Sequence, residues 1–269
     1  MSLQHEIINM LGVKPNIDVD EEIRTRVQFL KDYVQQAKVT GLLIAISGGI
    51  DSAVVAGLCK QATDELAKET GMEYMTLGVF QPYGEQDDIQ DSYAVAKAFN
   101  LKHTMETNIE EAVTELSLEV EYGLKSIGIL RHLSKQNKGN MKARTRMVLQ
   151  YAIAFDLNLL VVGTDHASET LTGFFTKYGD RAVDILPLSS LTKRQVHGLA
   201  KRLGVPMSIL DKIPTAGLWE GQTDELEMGV SYENNSDYLE GKTIDSRVQK
   251  RLEQQYLRTE HKRNPIPGI

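Results

Sequence analysis

The sequence predicts an α/β fold in which helices cover both faces of an open, mostly parallel sheet. Short apolar runs of strand length alternate with segments whose apolar residues recur at helical spacing. This alternation is typical of parallel sheets, because the helix between two strands returns the chain to the same end of the sheet. A length of 269 residues suits one compact α/β body with appendages, so we expect one domain.

The first half of the chain supplies the elements in that order. A helix is predicted over about residues 18–37 by four apolar residues at helical spacing, namely Ile23, Val27, Leu30 and Val34. The apolar run at 42–46 predicts a strand, and 53–68 predicts the helix that follows it. A β-rich segment at 74–80 predicts the second strand.

The middle of the chain continues the alternation. It predicts a helix at 94–99, a short strand at 102–107, a strong helix at 141–155 after a polar stretch, and a buried strand at 159–162. From about residue 217 onward the sequence becomes acidic loop and helix. No internal repeat or low-complexity linker demands a second domain.

Composition restricts the classes of partner. The chain has 30 Lys plus Arg and 37 Asp plus Glu, for a net charge of -7, so we expect no nucleic-acid or membrane partner. The single cysteine, Cys59, excludes an intramolecular disulfide and a CxxC pair. Residues 1–16 lack the apolar core of a signal peptide, and no apolar run reaches the length of about 18 residues that spans a membrane. We therefore expect a reduced, cytoplasmic protein.

The segment 47–52 carries the strongest functional signal. It lies between a predicted strand and a predicted helix and consists of Ser47-Gly48-Gly49-Ile50-Asp51-Ser52. A tight glycine turn at a helix N-terminus directs backbone N–H groups at one point, which suits an anion such as pyrophosphate. Asp51 can hold a hard cation that shares the phosphate oxygens. The alternative is an ordinary glycine turn in which Ser or Asp caps the helix. The segment matches neither the Walker A loop nor the Gly-x-Gly-x-x-Gly turn of dinucleotide-binding folds.

The predicted helix 141–155 places one cation on its apolar stripe. Helical spacing aligns Arg144 with Met147, Val148, Tyr151, Ala152 and Phe155. A charge on a buried stripe needs an anionic partner, so Arg144 is a candidate ligand-binding residue, with a structural ion pair as the alternative. The opposite, polar face carries Lys142, Arg146 and Gln150, where we expect a solvated role.

Polar residues also follow the strand 159–162. They belong to the segment Gly163-Thr164-Asp165-His166-Ala167-Ser168-Glu169, and the carboxyl ends of parallel strands form the ligand crevice of such folds. Glu169 is therefore a candidate second carboxylate for magnesium. The alternatives are an exposed first-turn carboxylate at Glu169, a helix cap at Asp165 and a satisfied polar residue at His166.

A capping box predicts the start of a later helix. Thr192 and Gln195 have its Ser/Thr-x-x-Glu/Gln form, and Lys193 and Arg194 place two cations in the first turn, where they oppose the helix dipole. A docked anion would relieve that conflict, so Lys193 is a candidate phosphate-binding residue. Solvated basic residues are the alternative.

These motifs resemble a known enzyme family. The loop at 47–52 is similar to the SGGxDS loop of ATP pyrophosphatases, which grips the β and γ phosphates while AMP is transferred to a substrate oxygen. Over nearly the whole chain the sequence resembles one branch, the ammonia-dependent NAD synthetases. The stretches that carry this resemblance are AISGGIDS at 45–52, GNMKARTRM at 139–147, VVGTDHASETLTGFFTKYGD at 161–180, DILPLSSLTKRQV at 184–196, PTAGLWEGQTDELEMGVSY at 214–232 and EHKR at 260–263.

The resemblance implies a fold and a division of the chain. The fold is a Rossmann-like sheet of the adenine nucleotide alpha hydrolase-like type. A single NAD synthetase domain covers 1–269, with N-terminal helices in 1–40, a nucleotide-binding α/β core in 41–216, and an acidic loop and helical tail in 217–269.

The resemblance also implies roles for particular residues. The ATP-binding positions are Ala45, Ile46, Ser47, Gly48, Gly49, Ile50, Asp51, Ser52, Thr164, Lys193 and Thr215. The deamido-NAD-binding positions are Arg144, Lys177, Asp184, His261 and Lys262. Mg²⁺ meets Asp51 and Glu169, and the catalytic positions are Asp51, Lys193 and Asp180, the last assisting with ammonia.

Two positions depart from the pattern of relatives. Phe80-Gln81-Pro82 stands where some relatives carry a basic residue before Leu-Pro, which leaves the adenine side without that basic contact. Gly217 stands where some relatives have Asp, and we assign it no role.

The implied activity is ligation of a carbon–nitrogen bond. ATP would activate the carboxylate of deamido-NAD through an adenylated intermediate, and free ammonia would then form NAD, with AMP and pyrophosphate as the other products. The resemblance further implies a homodimer whose dinucleotide site draws on both subunits. Two alternatives remain: an adenylating enzyme acting on transfer RNA, disfavoured by the charge of -7, and a catalytically silent nucleotide sensor, disfavoured by both metal carboxylates.

Overall fold

The computed structural model describes residues 2–215, 221 and 223–268. Within this part of the chain, no helix combines the length and the apolar composition needed to cross a membrane. Gly217 lies outside the described residues.

The strands of the described residues form one parallel sheet. They are β1 (Gly41–Ala45), β2 (Met75–Phe80), β3 (His103–Glu106) and β4 (Leu159–Val162), in the spatial order β3-β2-β1-β4. Leu43 of β1 lies opposite Leu77 on one side and Val161 on the other. The four predicted strands and their parallel arrangement are confirmed.

The strand order creates a crevice at the carboxyl ends of two neighbouring strands. From β1 the chain moves outward to β2 and β3 on one side, and it then crosses to β4 on the other. The connections that leave β1 and β4 therefore diverge, which opens a crevice at the carboxyl ends of these two strands. The loop 47–52 follows β1, and the segment 163–169 follows β4.

Helices connect and cover these strands. In the first part of the chain they are α1 (Leu3–Leu11), α2 (Val19–Ala37), α3 (Ile50–Thr70), α4 (Ile89–Ala98), α5 (Glu110–Ser126) and α6 (Lys135–Leu157). In the second part they are α7 (Ala167–Thr172), α8 (Lys193–Leu203), α9 (Met207–Leu210), α10 (Asp224–Met228), α11 (Tyr232–Leu239), α12 (Ser246–Arg258) and α13 (Glu260–Arg263).

Local signals account for most of these helices. The capping box of α8 is confirmed, because Thr192 Oγ1 accepts the Gln195 N–H at 3.2 Å and Gln195 Oε1 accepts the Thr192 N–H at 3.0 Å. Helix α5 was not predicted. Its sequence does carry apolar residues at helical spacing, namely Val113, Leu116, Val120 and Leu124, which were a usable signal, although only Val113 and Ser117 of α5 are buried.

Helices pack on both faces of the sheet, as predicted. Leu42 and Ile44 of β1 contribute to a core cluster with α2, α3 and α8, while Leu43 points to the other face and packs in a cluster with α6. Cys59 of α3 is fully buried in the first cluster, and burial raises the pKa of its thiol.

Candidate active site

A cleft of about 760 Å³ opens at the carboxyl edge of the sheet. The ends of β1, β2 and β4, the first turn of α3 and one side of α6 line it. Most of the predicted ATP-binding residues converge there, namely Ala45, Ile46, Ser47, Gly49, Ile50, Asp51, Ser52, Thr164, Lys193 and Thr215. Gly48 belongs to the same loop.

The loop after β1 allows an anion to approach the backbone closely. Gly48 has a φ of 78°, and a Cβ at this position would lie 2.9 Å from the Cβ of Asp91. Only glycine meets both constraints without strain. Helix α3 begins at Ile50, and its N-cap residue, Gly49, has no side chain to cap it, so the N–H groups of the first turn can bind a ligand. Ser52 Oγ donates to the Gly49 carbonyl at 2.9 Å and braces the turn.

Two predicted metal carboxylates meet beside this loop. Side-chain atoms of Asp51, His166 and Glu169 all lie within 4.8 Å of one another. Lys193 Nζ donates to Asp51 Oδ2 at 2.6 Å, which joins the start of α8 to the start of α3. The side chains of Asp51, His166, Glu169 and Lys193 thus lie close together, because the parallel sheet places the N-termini of α3, α7 and α8 next to one another.

Burial and neighbouring charges set the protonation of this group. Burial alone would raise the pKa of Asp51, but the Lys193 ammonium group holds that pKa below its usual value. The pKa of Lys193 is raised, because the Asp51 and Glu169 carboxylates outweigh the effect of burial. Burial, followed by the charge of Asp51, raises the pKa of Glu169 well above its usual value.

These side chains fit a hard divalent cation. Asp51 Oδ1 is buried and accepts no hydrogen bond from any of the described residues. Carboxylate oxygens are the ligands that Mg²⁺ prefers, and a cation would offset both the burial and the repulsion from Asp51 that raise the pKa of Glu169. His166 is fully buried, and burial lowers its pKa to about 3, so its ring is neutral.

The polar side of α6, rather than its apolar side, faces the cleft. Lys142, Arg146 and Gln150 all line it, so the expectation that they are solvated is wrong. Arg146 Nε donates to the Gln81 carbonyl at 3.0 Å, and Gln150 Nε2 donates to Gln81 Oε1 at 2.7 Å. Burial lowers the pKa of Arg146 to about 10. Because α6 lies across the crevice, its polar side turns inward to the ligand space.

The predicted apolar stripe of α6 lies at the surface of the chain. Val148 is 58% exposed and Phe155 is 88% exposed. Arg144 is exposed on this side, and its guanidinium donates to the Lys177 carbonyl at 3.2 Å. The argument that Arg144 is a buried charge in need of a partner is therefore wrong, although its position beside Lys177 is compatible with a substrate-binding role.

The residues expected at deamido-NAD divide between the cleft and the surface. Lys262 lines the cleft and donates to the carbonyls of Gly173 and Phe175 at 2.9 and 2.8 Å. Lys177 Nζ donates to the His261 carbonyl at 2.7 Å, which places Arg144, Lys177 and His261 in one chain of contacts. The fifth residue, Asp184, is exposed.

Asp184 and Asp180 have different surroundings. Asp184 Oδ2 accepts the Val161 N–H at 2.7 Å, and its Oδ1 accepts the Tyr151 hydroxyl at 3.2 Å. Asp180 lines the cleft, where its Oδ1 accepts the Thr176 N–H at 2.8 Å. Asp180 therefore faces the space in which the candidate phosphate residues lie, whereas Asp184 braces β4.

Comparison with known proteins identifies the family. A sequence model described as NAD synthase matches residues 22–266. This chain belongs to the NAD synthase family.

Curated relatives within the NAD synthase family match the chain over almost its whole length. An NH(3)-dependent NAD(+) synthetase of Exiguobacterium sibiricum is 44% identical over 97% of this chain and 95% of that protein. The protein of the same description from Bacillus subtilis is 43% identical over 98% of this chain and 96% of its own. The Escherichia coli protein is 45% identical over 98% of this chain and 96% of its own.

Solved structures have the same fold. An NMN synthetase from Francisella tularensis has a TM-score of 0.83 at 36% identity, covering 94% of this chain and 99% of that one. An NAD+ synthetase from Burkholderia pseudomallei has a TM-score of 0.82 at 33% identity, covering 97% of this chain and 95% of that one. The expected fold of the adenine nucleotide alpha hydrolase-like type is confirmed.

Two features of this NAD synthase fold were missed from the sequence. Lys212 Nζ contacts Asp88 at 2.5 Å and Asp91 at 2.7 Å at the rim of the cleft, and no sequence signal joins residues so far apart. His166 lies between two candidate metal carboxylates, where it is the N-cap of α7 in a capping box with Glu169. The sequence carried no ordinary signal for that box, because histidine is not among the Ser, Thr, Asp and Asn residues that typically cap a helix.

Proposed function

We propose that this protein makes NAD by amidating deamido-NAD with ATP and free ammonia. Membership of the NAD synthase family and the description of its curated relatives as NH(3)-dependent NAD(+) synthetases support this activity. The observation that carries the proposal is the ion pair between Lys193 and Asp51, next to Glu169, at the uncapped start of α3. That arrangement suits a triphosphate with its metal.

The reaction needs activation because a carboxylate resists attack by ammonia. The nicotinate carboxylate of deamido-NAD attacks the α-phosphorus of ATP, which forms an acyl adenylate and breaks the bond to pyrophosphate. Ammonia then adds to the acyl carbon, the bond to AMP breaks, and the added nitrogen loses a proton. The products are NAD, AMP and pyrophosphate.

The cleft residues supply the electrostatics of the first step. The N–H groups at the start of α3 and the hydroxyl of Ser47 hold the departing pyrophosphate, while the Ser52 hydroxyl braces the turn through the Gly49 carbonyl. The Lys193 ammonium offsets the negative charge that develops on it. Asp51 and Glu169 would hold Mg²⁺, which supplies further positive charge at the phosphate oxygens when it is bound.

A second copy of the chain completes the dinucleotide site in this proposal. Helices α5 and α6 carry a concentration of exposed apolar side chains, namely Leu116, Leu118, Val120, Tyr122, Val148, Phe155 and Leu157. Arg144 lies on the same helix as the last three. Contact between α6 and its symmetry copy would bury this surface and enclose Arg144 and Lys177, and two-fold dimers are the commonest closed assemblies.

Free ammonia is the nitrogen donor in this proposal. Enzymes that take nitrogen from glutamine use an accessible, activated nucleophile such as a cysteine thiolate. The single cysteine, Cys59, is fully buried in α3, and burial raises its pKa. Asp180 lines the cleft and would accept a hydrogen bond from ammonia there.

The test is amidation by the purified protein with ATP, Mg²⁺ and ammonium. We expect NAD, AMP and pyrophosphate in equal amounts from deamido-NAD. Nicotinate mononucleotide is the matched substrate, because one similar solved structure is described as an NMN synthetase. Preference for the mononucleotide would reassign the substrate, and absence of amide from both would overturn the activity.

The two other activities have their own signatures. An enzyme acting on transfer RNA would retain labelled transfer RNA on a filter at physiological salt, whereas a chain with net charge -7 is expected not to. A silent nucleotide sensor would bind ATP without releasing pyrophosphate when deamido-NAD and ammonium are both saturating.

A further inference from the structure

The fully buried imidazole of His166 occupies an unusual position in the cleft. Its Nε2 lies 3.5 Å from Asp51 Oδ1 and 3.6 Å from Glu169 Oε2. Neither separation is a completed hydrogen bond, and both Nε2 and Asp51 Oδ1 lack a hydrogen-bond partner among the described residues. A buried polar atom without a partner is costly, so this nitrogen calls for a functional explanation.

The other ring nitrogen decides where the proton lies. His166 Nδ1 accepts the backbone N–H of Glu169 at 3.3 Å as the N-cap of α7. A neutral imidazole that accepts at Nδ1 must carry its hydrogen on Nε2. The opposite tautomer would point an N–H of the ring at the N–H of Glu169 and leave both donors unsatisfied. The cap of α7 therefore directs an N–H group from Nε2 at the two carboxylates.

From this geometry we propose that His166 is a positioning residue, which donates from Nε2 to Asp51 and Glu169 and is not a third ligand of the metal. The inference rests on the proposed magnesium site of the function above. A ligating Nε2 would need its lone pair, which the capped tautomer does not offer. Hydrogen bonds around such sites are often long before ligands bind and tighten afterwards.

The other contacts of the two carboxylates show what His166 adds. Lys193 holds Asp51 Oδ2, and the backbone N–H of His166 donates to Glu169 Oε2 at 3.2 Å. One oxygen of each carboxylate is thus fixed by a neighbouring element. On Asp51 the Nε2–H meets Oδ1, the oxygen that Lys193 does not hold, so the two donors together limit rotation of that carboxylate. On Glu169 the Nε2–H meets the same oxygen, Oε2, as the backbone N–H, which reinforces that contact and leaves Oε1 for a metal. Partners that orient metal ligands in this way typically change metal affinity by about 10- to 100-fold.

The tautomer can be measured on the metal-free, unmodified protein. A long-range ¹H–¹⁵N spectrum distinguishes the two tautomers, and the His166 signal is assigned by its loss in His166→Asn. We expect the Nε2–H form, whether or not the wild-type protein proves to amidate deamido-NAD. An Nδ1–H form would overturn the proposal, and because no metal or substrate is present this failure is distinct from failure of the proposed activity.

The second measurement uses Mn²⁺ together with α,β-methylene ATP, a non-hydrolysable analogue. Electron spin echo spectra of the wild-type complex are expected to show no directly coordinated imidazole nitrogen, and such a nitrogen would make His166 a ligand and overturn the proposal. His166→Asn keeps an oxygen that can cap α7 but is too short to reach the carboxylates. We expect it to weaken Mn²⁺ binding by about 10- to 100-fold.

Controls separate positioning from folding. His132→Asn changes an exposed histidine outside the cleft and should leave Mn²⁺ affinity unchanged. His166→Ala removes both the cap and the donor, so it should lower the melting temperature more than His166→Asn does. Wild-type Mn²⁺ affinity in a folded His166→Asn protein would show that His166 only caps α7. If neither variant folds, the tautomer and the spin echo spectrum of the wild-type protein decide.

Discussion

Lys193 donates a hydrogen bond of 2.6 Å to Asp51, although the two residues are 142 positions apart in the sequence. The bond joins the N-termini of α8 and α3 and leaves Asp51 Oδ1 free beside Glu169. A buried cation is thereby held beside the loop 47–52 by contacts within the chain alone. Such preorganised charge is most effective where water is excluded, because the groups need no reorientation during the reaction.

Replacing Asp51 by Asn should abolish turnover and leave the fold intact. An amide lacks the anionic oxygen that a magnesium site prefers, and loss of one transition-state contact typically costs at least about a hundredfold in rate. The measurement is the initial rate of pyrophosphate release over a range of Mg²⁺ concentrations, with circular dichroism to check folding. Near-normal turnover with normal magnesium dependence would remove Asp51 from the site.

Replacing Arg144 by Ala should weaken binding of deamido-NAD and spare ATP. The exposed guanidinium lies beside Lys177 and outside the cleft that contains the loop 47–52, so we expect it to contact the proposed dinucleotide rather than the ATP phosphates. A hydrogen bond to a charged group contributes about 1.5–3 kcal/mol, so its loss should lower the affinity for deamido-NAD by roughly tenfold or more. Calorimetric titration with each ligand tests this, and an equal loss for both ligands would indicate a structural role.

Replacing Arg146 by Ala should have the converse effect and weaken ATP binding. Arg146 lines the cleft with the phosphate loop and anchors the Gln81 carbonyl at the end of β2. We expect about a tenfold or greater rise in the ATP dissociation constant, on the same energetic basis as for Arg144. Arg144→Ala is the matched control on the same helix, and unchanged ATP affinity in Arg146→Ala would return Arg146 to a solvated role.

Glutamine should be inert as a nitrogen donor, and Cys59→Ser should keep most of the activity. Because burial raises the pKa of the Cys59 thiol, it stays neutral at neutral pH and should react with a thiol reagent only after unfolding. Raising the pH at fixed total ammonium should raise the rate until catalytic groups titrate, since more ammonia is unprotonated. Glutamine-driven NAD formation that disappears in Cys59→Ser would refute this prediction.

Charges placed on the exposed face of α6 should separate the proposed dimer. The double variant Val148→Asp with Phe155→Asp should shift the light-scattering mass from dimer to monomer and weaken deamido-NAD binding. Met72→Asp is the control, because Met72 is also exposed but lies outside α5 and α6. A wild-type sample that is active as a monomer would contradict the prediction.

The sequence by itself determined the order of the strands and the glycine loop at 47–52 between a strand and a helix. These features depend on residues close together in the chain: apolar spacing for α2, the run of β4, the capping box at Thr192, and two glycines before Asp51. Local patterns of this kind favour the same secondary structure as the complete fold does, which is why the four strands were correctly predicted. The resemblance to the NAD synthetases came from the same local motifs.

Only the tertiary structure decided which groups face each other. Helical spacing correctly separated the Arg144 side of α6 from the Arg146 side, but spacing alone does not show which side lines the cleft. The side with Arg146 lines it, and the prediction that the side with Arg144 is buried was wrong. The sequence carried the signal for α5 in Val113, Leu116, Val120 and Leu124, but only the structure shows that most of these apolar side chains do not pack within the chain. His166 gained its position between Asp51 and Glu169 only when β1 and β4 became neighbours in the sheet. Periodicity describes a side chain relative to its own helix axis, whereas a site depends on distances between elements, and these are set by how the sheet and its helices pack.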